Sequence, residues 1–362
     1  MFTGCAPLAY YLQAVGGQME MSGKAVPIAE LLADPSTDPE LARRLTQVLA
    51  AREFASWELK LPDNDSFRRY ADLERPYAVW NVFAAPELSL KPLEWCFPVA
   101  GCVAYRGYFS EAAAQAAAAE LAAKGFDVFV AGIPTYSTLG WFADPVLNTF
   151  INYPEGDLVG LIFHELAHQT VYVPGDTVFN ESFATAVEEV GVRRWFARQP
   201  TSTAARAWEE TRRRRQDFHA LLLRIRDRLA QAFAEAADEE DARARKAAVL
   251  RAAEAEYEAL RASWGGYSGY DRWFRTTPLN TAKLASAIVY LDHLPAFRAL
   301  LSCLDGDLPA FYEAVRSLAQ LASEERNTLL AGLAGGQGCP VLTPSGGTPI
   351  MGGTISSLSP MP

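Results

Sequence analysis

The sequence predicts an α+β protein that is predominantly helical, with a small sheet near the N-terminus and a long helical hairpin inserted late in the chain. Three observations predict this class. Apolar residues recur at the three-to-four spacing of helices over most of the chain. Aromatic and β-branched segments, broken by proline and glycine, lie within residues 76–130. Between Thr201 and Trp264 the composition changes sharply to alanine, arginine, glutamate and leucine, which are good helix formers.

The composition excludes two broad classes of protein. Half of the 362 residues are hydrophobic, which is enough to bury one large core or two modest ones. Lysine and arginine sum to 33 against 43 acidic residues, and the formal net charge of -10 argues against a general nucleic-acid binder. No apolar run reaches the roughly 18 to 20 residues that a membrane-spanning helix needs. An integral membrane protein is therefore not expected.

The first predicted elements are helices followed by short strands. Residues 7–60 carry apolar residues at helical spacing, and the aromatic segments within 76–109 read as strands. An alanine-rich helix is predicted over about 110–124 and closed by Gly125, because glycine adopts the left-handed conformation that ends many helices. Residues 126–130 then form a strand.

The second half of the chain is predicted to be almost entirely helical. A long antiparallel hairpin is expected over 201–264, with its turn at Asp238–Asp241. The run Arg212–Arg215 is interpreted as a solvated helix face, since acids alternate with it on an acidic chain. Helices resume over 280–333. After Gly335 the chain has few large apolar residues and is predicted to be disordered.

These elements predict one domain over residues 7–334, between a six-residue leader and a tail. Its parts are a sheet with the helices of the candidate site at 76–200, the hairpin at 201–264, the C-terminal helices at 265–334, and the tail at 335–362.

The cysteines suggest two features and settle neither. Small residues before Cys5 resemble the end of a bacterial lipoprotein signal, in which that cysteine is lipidated, although an ordinary cysteine near a start methionine is the alternative. Cys96 and Cys102 are separated by five residues. They predict either a disulfide closing a tight loop or two buried thiols.

The strongest local signal is the motif His164-Glu165-Leu166-Ala167-His168. On a helix of 3.6 residues per turn, His164 and His168 project from one face about 6 Å apart along the axis, so both imidazoles can reach one tetrahedral zinc ion. Glu165 is offset around the helix, where it can touch a metal-bound water rather than the metal. After a turn at 173–176, a second helix can bring Glu181 back as the third ligand.

These motifs resemble those of the gluzincin metallopeptidases, and in particular those of a bacterial family of predicted aminopeptidases whose members are often lipoproteins. The resemblance covers about residues 5–325. It includes, besides the motif and the pair Asn180-Glu181, the segments Trp95–Pro98, Tyr105–Phe109, Tyr136–Phe142, Asp144-Pro145 and the stretch from Asn280 to Tyr290.

The resemblance implies a zincin-like metallopeptidase core with one zinc ion per chain. His164, His168 and Glu181 would be the ligands, and Glu165 would act as general base and then as general acid. It also favours lipidation of Cys5, and hence a protein in the periplasm or attached to the outer membrane.

Further candidates surround this motif in sequence. Tyr290 is the favoured donor to the oxyanion, ahead of Tyr136, Tyr153 and Tyr172, although each tyrosine could simply pack. Glu188 lies seven residues beyond Glu181, hence on the same helix face, and with Asn180 is expected to contact the ligands rather than the metal. Tyr136, Ser137 and Thr138 are expected to bind substrate. Asp144, Glu155 and Asp157 are candidates to hold a free α-amine.

The predicted function is therefore zinc-dependent hydrolysis of peptides, most simply by an aminopeptidase. An endopeptidase of the same chemistry is one alternative. A non-catalytic envelope protein is another, with a structural zinc site and the 201–264 hairpin as a partner-binding arm. Glu165 favours catalysis, because a structural site needs no carboxylate aimed at a water and usually has a fourth protein ligand.

Overall fold

The computed structural model describes residues 8–97, 101–198, 202–288, 292–338, 340–341 and 350–351. Over these residues the fold is predominantly helical with small sheets, as the sequence predicts. The helices are α1 (Leu8–Lys24), α2 (Ile28–Ala33), α3 (Pro39–Trp57), α4 (Glu111–Ala122), α5 (Glu155–His168), α6 (Thr177–Ala197), α7 (Thr203–Ala234), α8 (Glu239–Ser263), α9 (Asp271–Arg275), α10 (Thr281–Ile288), α11 (Leu294–Cys303), α12 (Leu308–Ala319) and α13 (Ser323–Ala334). The strands are β1 (Val26–Pro27), β2 (Arg69–Ala71), β3 (Val79–Pro86), β4 (Trp95–Phe97), β5 (Gly101–Val103), β6 (Arg106–Tyr108), β7 (Phe126–Ile133), β8 (Val146–Leu147), β9 (Pro340–Val341) and β10 (Ile350–Met351).

The main sheet has the strand order β6-β3-β7, with both pairs antiparallel. Successive side chains of β3 point to opposite faces, so Trp80 and Val82 pack against α4 while Phe83 and Ala85 pack against Ala282 of α10. Burial on both faces explains why β3 reads as a continuous apolar run. Strand β7 is an edge of this sheet and leads directly towards the candidate site.

Strands β4 and β5 form a hairpin in which Cys96 lies opposite Cys102, and the two form a disulfide. Of the two readings that the sequence left open, the structure has the bridged one. Gly101 lies at the end of this hairpin with φ +75°. A Cβ atom there would meet the backbone nitrogen of Gly175 at 2.4 Å, so the hairpin presses on the turn before α6. Cys303 is disulfide-bonded as well.

The central core forms where α5 packs against α6, with α3 on one side and α11 to α13 on the other. Gly191 of α6 permits the close approach, because a Cβ atom there would lie 2.7 Å from the ring of Phe163 and 2.8 Å from Leu59. Asp176 caps the N-terminus of α6 by accepting a hydrogen bond from the backbone N–H of Phe179. Asp176 is the last residue of the turn that the sequence predicts at 173–176.

The predicted hairpin is formed by α7 and α8, but its turn was placed slightly too late. Residues 235–238 make the connection, and Asp238 caps α8, so Glu239–Asp241 lie in the first helical turn. Acids are favoured there by the helix dipole, which explains the cluster better than a turn does. The hairpin builds a second core with α9 and α10.

The hairpin is also fixed to the central core. Trp208 of α7 is buried in that core. Its ring packs directly on Gly156 of α5, where a Cβ atom would lie only 2.3 Å from Trp208 Cδ1. In the part of the chain that the structure describes, no helix is long and apolar enough to cross a membrane. Cys5, Tyr290 and most of the 335–362 tail lie outside the described residues, so those predictions stay as predictions.

Candidate metal centre

Helix α5 carries the motif in its last two turns, deep in the central core. His164, Glu165 and His168 are only 8%, 8% and 7% exposed. Burying three such polar side chains is costly unless partners satisfy them. Their partners come from α6 and from the loop after β7.

The start of α6 is held in place by polar contacts. The side-chain amide of Asn180 accepts from the backbone N–H of Val173 and donates to its carbonyl, both at 2.8 Å. The Asp176 carboxylate, besides capping the helix, pairs with the buried Arg326 at 2.6 Å. Asn180 thus braces the turn before Glu181 by hydrogen-bonding to Val173 rather than by contacting the predicted ligands.

This bracing brings Glu181 to the two histidines. His164 Nε2 lies 3.2 Å from Glu181 Oε2 and 3.2 Å from His168 Nε2, and His168 Nε2 lies 3.7 Å from Glu181 Oε2. Within the described residues, these three form the one group of histidine, cysteine or acidic side chains whose donor atoms could converge on a metal ion.

The donor geometry fits zinc. With metal–ligand bonds of about 2.0–2.1 Å, the edges of a coordination tetrahedron measure about 3.3–3.4 Å. The three observed separations bracket that value. Two imidazole nitrogens and one carboxylate oxygen also match the ligand set of catalytic zinc sites, which leave a fourth position open.

The charged side chains of the cluster shift one another's pKa values in opposite directions. Burial lowers the pKa of His164, but the carboxylates of Glu181 and Glu188 outweigh it and raise the pKa to about 10. Burial raises the pKa of Glu181, but the two histidines outweigh this effect and hold the pKa well below its usual range. The two shifts show that the carboxylates favour a positive charge at the histidines, which is the kind of charge that a bound metal cation would bring.

The predicted contact of Glu188 with a ligand is present in the geometry. Glu188 Oε2 lies 3.3 Å from His164 Nδ1, the nitrogen that faces away from the cluster. Gly160 makes room for it, since a Cβ there would lie 3.1 Å from Glu188 Cγ. Such a carboxylate fixes the tautomer and orientation of the imidazole.

The chain of contacts continues into the helical hairpin, which the sequence did not indicate. Arg215 of α7 lies 3.1 Å from Glu188 and 2.9 Å from Asp157 of α5. The prediction that Arg212–Arg215 form a solvated face is therefore wrong for Arg215, and also for Arg214, which packs over the ring of Tyr267. Arg213 is exposed as expected. Helical spacing could have separated Arg213 from Arg215, because they lie 200° apart on the helix.

The candidate base Glu165 contacts a residue that the sequence missed. Thr135, two residues after β7, donates its hydroxyl hydrogen to Glu165 Oε1 at 3.1 Å. The sequence offered one indication of this role, because Thr135 directly precedes the Tyr136–Thr138 segment that was predicted to bind substrate.

The Tyr136–Thr138 segment, which the sequence predicts to bind substrate, is a loop. Thr138 donates from its backbone N–H and its hydroxyl to the buried Asp144, at 3.0 and 2.7 Å, and Ser137 lies 3.5 Å from the same carboxylate. The ring of Tyr136 packs against Phe109. Burial raises the pKa of Asp144 to about 6, and the negative charge of Glu165 contributes to this shift. The loop that Asp144 holds therefore lies near the candidate base.

The other acidic candidates for holding an amine have structural partners. Glu155 accepts from the indole of Trp195 at 2.8 Å, and Asp157 pairs with Arg215. Of the three acids named from the sequence, Asp144 is the one whose pKa is raised by the charge of Glu165.

A different tyrosine from those expected lies near the cluster. Burial raises the pKa of Tyr105, and the charges of Glu181 and Glu165 raise it further, so its phenol keeps its proton. Tyr105 also packs against Phe83 of β3. Tyr172 is influenced by Glu181, Tyr153 shows no such link to the cluster, and Tyr290 is not among the described residues.

Fold and site together define an α+β protein with a buried cluster of two histidines from α5 and a glutamate from α6. A further glutamate of α5, Glu165, lies beside this cluster. The chain belongs to a family described as "Putative aminopeptidase", whose model matches residues 9–330. No curated protein and no solved structure gave a significant match.

Proposed function

We propose that this protein is a zinc-dependent aminopeptidase of the gluzincin type, with a zincin-like core built on α5 and α6. The observation that carries the proposal is the convergence of His164 Nε2, His168 Nε2 and Glu181 Oε2 beside Glu165. Membership of the aminopeptidase family supports the peptidase chemistry.

The roles of the chain's own residues follow from their positions. His164, His168 and Glu181 would hold the zinc ion, which when bound lowers the pKa of water and polarises a carbonyl. Glu165 would accept the proton of the attacking water and then deliver it to the leaving amine. Thr135 would hold the Glu165 carboxylate in place by donating its hydroxyl hydrogen to Oε1. The other carboxylate oxygen, Oε2, would then carry the transferred proton.

Two further features would act on the substrate. The protonated phenol of Tyr105 is a suitable donor to the developing oxyanion. Strand β7 would align the peptide backbone by adding it as a further strand, because β7 is an edge strand ending at Ile133, two residues before Thr135. The Tyr136–Thr138 loop, fixed by Asp144, would then border the bound peptide.

We further propose that the protein works outside the cytoplasm, in the periplasm or attached to the outer membrane through Cys5. The Cys96–Cys102 disulfide supports an oxidising compartment. Mass spectrometry of the protein from a membrane fraction would detect a diacylglyceryl group on Cys5 if the proposal is right.

The function is tested with peptides that differ only in a free or an acetylated amino terminus. We expect the zinc-loaded wild type to cleave the free peptides and to leave the acetylated ones intact. Glu165→Gln should lose about 10²- to 10⁴-fold in kcat, the usual contribution of a general acid–base group. Glu189→Gln is the control, because Glu189 lies on α6 but pairs with Arg298 rather than with the histidines.

Each other outcome has a definite meaning. Equal cleavage of acetylated peptides would indicate an endopeptidase. Zinc binding without cleavage of any peptide would favour a structural site and overturn the proposal.

A further inference from the structure

A cavity of about 290 Å³ lies between the start of α6, helix α10 and the segment that leads into the β4–β5 hairpin. Its apolar wall is made mainly by Leu284, Ala285 and Ile288 of α10, with Leu90 and Val178. An apolar cavity of about 150 Å³ is large enough to hold benzene. This one therefore has room for a leucine, methionine or phenylalanine side chain.

Two of the residues that line the cavity, Val178 and Ala104, are close in the chain to residues of the candidate site. Val178 precedes Glu181 by three residues, so the two lie on one face of α6, about 4.5 Å apart along the axis. Ala104 is followed by Tyr105, whose phenol is influenced by both Glu165 and Glu181. A substrate held at the cluster could thus place a neighbouring side chain in the cavity.

The charges at the rim disfavour an acidic occupant. Asp292 is paired with Arg226, and Asp176 is paired with Arg326, so neither pair contributes a net charge. Glu94, which is exposed, also lines the cavity and adds a negative charge. An uncharged apolar side chain would be accepted, whereas aspartate or glutamate would be repelled.

We propose that this cavity is the specificity pocket of the enzyme and receives the apolar side chain next to the cleaved peptide bond. The inference rests on the proposed function and names its substrate class: peptides with leucine, methionine or phenylalanine at that position. Each methylene buried in such a pocket changes discrimination by about 10- to 200-fold. Leucine substrates should therefore exceed alanine substrates by at least 10-fold in kcat/KM.

Two substitutions on α10 test the pocket in opposite directions. Ala285→Phe fills it and should lower kcat/KM for a leucyl p-nitroanilide about 10-fold or more, while the alanyl substrate changes less than about twofold. Ile288→Ala enlarges it and should shift the preference from leucine towards phenylalanine. Ser286→Ala is the control, since Ser286 does not line the cavity and its hydroxyl contacts the Lys283 carbonyl. Zinc content should be unchanged in all three.

A binding measurement separates failure of this inference from failure of the proposed function. Leucinamide and alaninamide are titrated into the Glu165→Gln protein by calorimetry, with and without Ala285→Phe. We expect about 10-fold tighter binding of leucinamide, and loss of that difference in the double variant. If the wild type cleaves nothing, this titration still tests the pocket. Equal binding of the two amides, or equal loss of activity on both substrates, would overturn it. If Ala285→Phe does not fold, Ala285→Val and Ile288→Ala decide by the same criteria.

Discussion

At the scale of single residues, the hydrogen bond from Thr135 holds the carboxylate of Glu165, the proposed general base, in one orientation. Thr135→Val keeps the shape of the side chain but removes the donor. We expect kcat to fall about 10-fold, the effect of losing a hydrogen bond to a charged group, with KM and zinc content unchanged. Thr135→Ser should restore most of the rate. A Val variant with full activity would show that Glu165 needs no such support.

Asp144 makes a prediction about pH and stability. Its pKa is raised to about 6, above the ordinary value of 3.8, first by burial and also by Glu165. Between pH 4 and 6 the folded state therefore binds more protons than the unfolded state, so stability falls as the pH rises through this range.

The size of this effect can be measured against Asp144→Asn, which does not titrate. Relative to the variant, the wild type should lose about 2 kcal/mol of unfolding free energy between pH 4.5 and pH 7. Urea titrations with a metal chelator present would measure it, because zinc binding is then removed as a second source of pH dependence. A difference that stays constant across this range would contradict the assignment.

Some site residues could be predicted from the sequence because local geometry places them. The helical period alone puts His164 and His168 on one face, and the seven-residue spacing of Glu181 and Glu188 puts both towards α5. Thr135 and Tyr105 could not be found in this way. They reach the site through the packing of the sheet, which no local spacing encodes.

At the scale of elements, the helical hairpin is connected to the candidate metal centre through Arg215. This side chain pairs with Glu188, which contacts His164, and with Asp157 at the start of α5. Arg215→Gln leaves both carboxylates without a cation. We expect zinc affinity to fall about 10-fold, since partners of metal ligands usually contribute 10- to 100-fold, and the melting temperature to fall as well.

Arg213→Gln is the matched control for this prediction, because Arg213 belongs to the same run but is exposed. It should leave zinc affinity and melting temperature unchanged. Equal effects of the two substitutions would mean that the hairpin acts only through general packing or net charge.

The elements themselves were predicted better than their ends. The helices of the N-terminal region, the alanine-rich α4, and α5 and α6 have strong periodicity or clear caps such as Asp176. The hairpin turn was misplaced, since Asp238–Asp241 combine a cap with the acidic first turn of α8. The Tyr136–Thr138 segment, expected to bind substrate, is a loop held by Asp144, and the nearest edge strand of the sheet is β7.

At the scale of the whole molecule, two cores share one site. The central core positions α5 and α6, and the hairpin core supplies Arg215 together with helix α10. The sequence predicted a single domain with an inserted arm, but it could not show that α7 packs on α5, because that contact joins residues about 50 positions apart. The hairpin is thus part of the site's support as well as an inserted arm.

The central claim is that His164, His168 and Glu181 bind one zinc ion, and metal analysis of the purified protein tests it most directly. Wild type, Glu181→Ala and Glu189→Ala would be dialysed against the same zinc buffer and measured by mass spectrometry for metals. The account predicts about one zinc per chain in the wild type and in Glu189→Ala, and most of it lost in Glu181→Ala. A wild-type protein without zinc, or a Glu181→Ala variant that keeps it, would contradict the account.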